Sequence, residues 1–173
     1  SHLNYNSYGY LGVFNGGALN ATGNWAVEFA GNSAMEFDHA TWTHDATSTA
    51  AKFDFNYNGD NGLVQCYLKD SQADFSGMSP VATQGGLNLT LEGESAVFKM
   101  AEFTLQAARG SAQAVTINLN DDAELDFTGF TYSQDKITAP HTCLVNFNGG
   151  RMVATRSGWA LFTTGELTEH ARE

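Results

Sequence analysis

The chain is poor in cysteine, proline and basic residues: its 173 residues hold two Cys, two Pro and eight Lys plus Arg. Against those eight stand 19 Asp and Glu, for a formal charge of −11. Nucleic acid is thereby excluded as a partner, because its phosphates demand Lys and Arg. Docking on an anionic membrane surface is disfavoured on the same ground, and the plain use of such acidity is solubility. No apolar run approaches the ~20 residues needed to span a bilayer. Gly-x-Ser-x-Gly, a phosphate loop and a dinucleotide fingerprint are all missing. No secretory signal opens the chain; Ser1-His2 reads as the scar of a removed tag. The last repeat begins at Cys143 and the chain stops at Glu173, so an excised piece of a longer protein is expected.

What is abundant is glycine (18) and phenylalanine (12), a composition that suits many strands joined by tight turns. Six times a short β-type run ends in an apolar anchor that a small or polar residue follows: Phe14, Phe29, Phe55, Leu91, Leu119 and Phe147. After each comes an aromatic: Trp25, Trp42, Phe75, Phe103, Phe130 and Trp159, separated by 17, 33, 28, 27 and 29 residues. A spacing near 28 that recurs marks a solenoid, in which each repeat buries its apolar face against its neighbours. The run before each anchor alternates with period two: Leu87, Leu89 and Leu91, then Val115, Ile117 and Leu119, then Cys143, Val145 and Phe147. These form an inward set, with Asn88, Thr90, Thr116 and Asn118 outside. Gly16, Gly31, Gly93, Asp121 and Gly149 stand two positions after their anchors, where a bend calls for positive φ.

The expected fold is all-β: a single-domain right-handed parallel β-helix of about five coils over residues 1–173. Residues 1–25 form a cap or incomplete coil, and 163–173 a tail with a helical turn. Loops are expected at Asn56–Gly62, Ser76–Gly86 and Ser133–Thr142. The alternative is a jelly-roll β-sandwich, whose antiparallel strands would need hairpins and Greek-key returns instead of a constant repeat.

The stretch Val115-Thr116-Ile117-Asn118-Leu119-Asn120-Asp121-Asp122-Ala123-Glu124-Leu125-Asp126-Phe127-Thr128-Gly129 resembles the right-handed parallel β-helix repeats of bacterial surface proteins. Autotransporter passenger domains and pectin-lyase-like proteins are the familiar examples. The resemblance covers roughly residues 10–165. It implies a secreted or cell-surface location and a structural or adhesive role, with extracellular polysaccharide as a partner. It carries over no catalytic residue, because the acids and Arg of pectate lyases and polygalacturonases are not matched. A polysaccharide lyase or glycoside hydrolase is the first alternative function, and a jelly-roll carbohydrate-binding module the second.

Four groups of residues could carry chemistry. The aromatic ladder, above all Trp42, Phe103 and Trp159, would stack sugar rings if it faced outward; a core column is the favoured reading. Asp38, His39, His44 and Asp45 offer zinc-type ligands. His39 and His44 are five apart, so a continuous strand would point them to opposite faces. Asp121 and Asp122, with Glu92 and Glu94 one coil away, could share a Ca²⁺ ion, although solvated turn acids are expected and no cofactor is required. Arg109, Arg151 and Arg156 are the basic residues near coil turns. No pair of carboxylates stands out for glycoside hydrolysis.

The two cysteines test the fold. Three coils at about 4.8 Å each separate Cys66 from Cys143 by roughly 14 Å, twice the ~7 Å reach of a disulfide. Intact-mass analysis of the alkylated protein is expected to find two free thiols; an intramolecular Cys66–Cys143 bond overturns the solenoid.

Overall fold

The computed structural model describes residues 2–5, 9–22, 26–29, 31–45, 52–57, 62–78, 81–106, 114–133, 142–154 and 162–163. Its strands form three parallel walls. The first holds β1 (His2–Tyr5), β4 (Ala26–Phe29), β7 (Lys52–Asp54), β10 (Val81–Thr83), β13 (Glu102–Gln106), β16 (Gly129–Ser133) and β19 (Phe162–Thr163). The middle wall holds β2 (Tyr10–Phe14), β5 (Ala34–Asp38), β8 (Leu63–Lys69), β11 (Gly86–Glu92), β14 (Ala114–Asn120) and β17 (Thr142–Asn148). The third holds β3 (Ala18–Thr22), β6 (Thr41–Asp45), β9 (Gln72–Phe75), β12 (Val97–Met100), β15 (Glu124–Asp126) and β18 (Arg151–Val153).

Each strand pairs in parallel with the strand three places on, which makes the chain a right-handed parallel β-helix with no helix among the described residues. Parallel pairing of all named strands rules out the jelly roll. Leu89, Ile117 and Val145 are vertical neighbours, as the repeat requires. Cys66 and Cys143 lie three strands apart in the middle wall and are free thiols.

The repeat is phased differently from expectation in its first half. The column that contains Leu91, Leu119 and Phe147 continues upward through Leu68, Phe37 and Val13. Subtracting residue numbers along it gives 24, 31, 23, 28 and 28. Phe29 ends β4 of the first wall and Phe55 directly follows β7 of the same wall, and both are buried. Phe14 points outward beside the inward Val13 and is 41 % exposed. β1 to β3 supply one strand to each of the three walls. β10 lies inside the segment expected to be a loop before Leu87.

One corner recurs in every layer. Between the middle and third walls stand Asn15, His39, Asp70, Gly93, Asp121 and Gly149, all with φ between 43° and 100°. Glycine accepts this region freely and Asn or Asp tolerate it. Each link ends on a small residue: Gly17, Ala40, Ser71, Ala96, Ala123 and Gly150. Backbone hydrogen bonds tie this second column layer to layer, as from Gln72 N to Ala40 O (3.0 Å) and from Glu124 N to Ala96 O (2.8 Å). A Cβ on Gly150 would come within 2.6 Å of the Leu119 Cβ, so bulk is excluded there.

Inside, rings from all three walls interlock. Trp42 stacks on Phe37 (4.5 Å between centroids) and meets Phe53 and Phe75 edge-on. The chain of contacts continues through Phe98, Phe55, Phe103 and Phe130. Each buried ring contributes on the order of 2–3 kcal/mol. Leu89, fully buried between Cys66 and Ile117, tests the stack. Leu89→Ala is expected to lower unfolding free energy by about 2–5 kcal/mol, and Thr116→Ala on the outward side by less than about 1 kcal/mol, both read by urea denaturation.

Candidate functional site

The aromatics expected to form one ladder are split between walls. Trp42 and Phe75 lie on β6 and β9 of the third wall, Phe103 and Phe130 on β13 and β16 of the first. Trp42 is 2 % exposed and Phe103 1 %, so neither ring has a face to offer a sugar. Trp25 and Trp159 lie outside the described residues, as do Arg109 and Arg156.

The His/Asp cluster is divided by the corner. His39 occupies the left-handed position and is exposed; its Nδ1 meets Asp38 Oδ1 at 2.5 Å and its Nε2 lies 3.7 Å from Asp70 Oδ2. His44 points inward from β6, edge-on to Phe75 at 6.0 Å. It is 2 % exposed, and neither ring nitrogen has a hydrogen-bond partner among the described residues. Desolvation lowers its pKa below 6.5, because an imidazolium there would lose its hydration without compensation. The side chain of Asp45 lies outside the described residues.

Asp121, Asp122 and Glu94 are exposed at one corner in adjacent layers. The nearby charge is partly met from the next layer: Arg151 donates through Nε (3.2 Å) and Nη2 (2.9 Å) to Glu124 Oε2, and through Nη1 to the Asp122 carbonyl. Among the described residues no group of three or more His, Cys, Asp or Glu side chains is placed to hold a metal ion.

Two carboxylates that period-two alternation assigns to the solvent side stand in register on the first wall, and both are buried instead. Glu28 and Asp54 are Cα partners on β4 and β7, 4 % and 3 % exposed. Asp54 accepts from Gln84 Nε2 (2.7 Å) and from the Asn56 backbone N (3.1 Å). Asn56 itself is buried and donates to the carbonyls of Gly62 (2.9 Å) and Gly86 (2.8 Å), spanning successive layers. This arrangement ties layers together. A hydrolase pair must instead face a cleft.

The thiols are quiet. Burial pushes the Cys66 pKa up, and that of Cys143 up to about 11, which suppresses the reactive thiolate.

The surface that organises accessible chemistry is the outward side of the middle wall. Its three rows run across six strands: Tyr10, Ala34, Gln65, Asn88, Thr116 and Leu144; then Gly12, Glu36, Tyr67, Thr90, Asn118 and Asn146; then Phe14, Asp38, Lys69, Glu92, Asn120 and Asn148. Amides bridge the layers toward the C-terminal end. Asn146 Nδ2 donates to Asn118 Oδ1 (2.8 Å), Asn118 Nδ2 to Asn88 Oδ1 (3.0 Å), and Asn148 Nδ2 to Asn120 Oδ1 (2.9 Å). Toward the N-terminal end the face becomes aromatic and acidic. Tyr10 Oη donates to Glu36 Oε2 at 2.6 Å, and Tyr67 stands in register with Glu36. Partial desolvation first, then Glu92, Asp38 and Glu36, hold the Tyr67 pKa up at about 12. Period-two alternation marks these side chains as outward, but Tyr spacing in the sequence shows no pattern that would join them.

Compared with known proteins, the chain matches no family model, no curated protein and no solved structure. The β-helix class therefore stands on the stacked walls alone.

His44 makes stability depend on pH. Its folded pKa lies below the unfolded 6.5, so near and below that pH the unfolded chain binds a proton that the native state refuses. The contribution is fully present above pH 6.5 and is lost progressively as pH falls. Urea titrations from pH 7.5 to 5 are expected to show this loss in the wild type and to show it diminished in His44→Phe. Identical pH profiles would remove His44 as the cause.

Proposed function

We propose that this protein is a non-catalytic, secreted or cell-surface β-helix module, structural and adhesive in role, which meets extracellular polysaccharide through the outward side of its middle wall. One observation carries this reading: 18 residues stand there in three rows held in register by six paired strands. Strand spacing of about 4.8 Å, and about 6.6 Å between same-face residues along a parallel strand, makes a repeating polar grid. The Asn ladder pre-orients its amides, which lowers the ordering cost when a ligand binds. The acidity disfavours polyanions and leaves neutral or cationic glycans.

A glycan array probed with the whole chain checks the proposal. Retention of neutral or cationic polysaccharides, without release of reducing ends or of unsaturated sugars absorbing in the ultraviolet, is the expected result. Turnover of any bound glycan would replace this reading with a lyase or hydrolase. An array with no retained glycan would leave no basis for the polysaccharide partner.

A further inference from the structure

We propose that the N-terminal end of this wall is a saccharide subsite that selects a sugar carrying a protonated amine, built from Tyr10, Gly12, Phe14, Glu36 and Tyr67. The inference rests on the glycan-binding reading and narrows it to one place and one ligand class.

The site begins with a glycine. Gly12 sits between Tyr10 and Phe14 on the outward side of β2, and both rings lean over it. A Cβ there would lie 2.5 Å from Phe14 Cε2 and 3.0 Å from Tyr10 Cε1. The missing side chain lets two rings close into one apolar slab. That slab is open to solvent, with Tyr10 60 % and Phe14 41 % exposed. A slab of this kind suits the C–H face of a pyranose, which packs on aromatic surfaces and leaves its hydroxyls at the rim.

Charge then sets the class of sugar. Glu36 is the register partner of both Gly12 and Tyr67, so its carboxylate stands between the slab and the Tyr67 ring. Its Oε2 takes the Tyr10 hydroxyl at 2.6 Å, which fixes the Tyr10 ring. Its Oε1 has no partner among the described residues. Asp38 and Glu92 stand in the row alongside, with Lys69 between them. Carboxylates outnumber that lysine, so a uronic acid would be repelled. An ammonium group gains twice, from Glu36 and from the ring faces.

The geometry of Gly12 supplies a test that leaves charge untouched. The atoms a new side chain would meet are the far ends of exposed rings, and valine favours strands. Gly12→Val should therefore fold normally while prising the slab apart. The probes are a β-1,4-linked glucosamine hexasaccharide, its fully N-acetylated counterpart and an oligogalacturonate, titrated calorimetrically into the full chain at about pH 6, where a sugar amine is largely protonated. The expected result is binding of the amine form about tenfold or more tighter than the acetylated form, and none of the uronate. Glu36→Gln should abolish that preference, and Gly12→Val should weaken the amine form about tenfold or more at an unchanged melting temperature.

Equal affinity for amine and acetylated forms overturns the proposal, as does binding that Gly12→Val leaves intact. Competition by polylysine as effective as by the hexasaccharide would show a general acidic patch and overturns it too. Neutral glycans retained in the Gly12→Val variant would sink the subsite while sparing the adhesive reading. Silence toward every saccharide would sink both.

Discussion

A stacked left-handed corner holds this solenoid in register. At the edge between the middle and third walls, six layers place a residue of positive φ directly after a middle-wall strand. Each link then returns to a small residue before the next strand begins. Between those two fixed points the link can lengthen. His39 and Ala40 suffice between β5 and β6, whereas β11 and β12 are joined by Gly93, Glu94, Ser95 and Ala96, with Glu94 and Ser95 exposed. Extra residues are thus pushed into solvent without shifting the strands on either side. Were the corner free to move, a slip of one residue would turn an inward set outward.

That register decides what the interior can hold. Because three walls point alternate side chains at one axis, Phe and Trp from different walls fill the same space and meet at 4.5–5.3 Å. Such a core takes the aromatics out of reach of any ligand. It also tolerates His44 as a neutral ring packed against Phe75, a polar group left unpaired at a cost in stability. The chemistry that remains outside must come from side chains brought together across layers: an amide ladder at one end of the middle wall, and Tyr with Glu at the other.

The later coils were the legible ones. Leu87 to Leu91, Val115 to Leu119 and Cys143 to Phe147 alternate cleanly at intervals of 28, and their alignment in the sequence is their alignment in space. The earlier coils misled because Phe29, Phe37 and Phe55 all end short β-type runs, and only one of them belongs to the middle wall. With steps of 24, 31 and 23 residues there, no constant period could choose among them. The outward patch was illegible for the same reason. Tyr10, Glu36 and Tyr67 share a surface only once unequal coils are stacked, and the role of Gly12 depends on where two neighbouring rings lean.

By itself the amino-acid sequence determined the class of structure, since period-two alternation and recurrent turn residues follow from local backbone preferences that each segment expresses alone. It also determined that the two cysteines stay apart and that the surface is acidic. Only the tertiary structure decided which strand lies above which, which aromatics are buried, and which polar side chains become neighbours. Those outcomes depend on the length of the links between strands, and link length acts through long-range register that no single segment encodes.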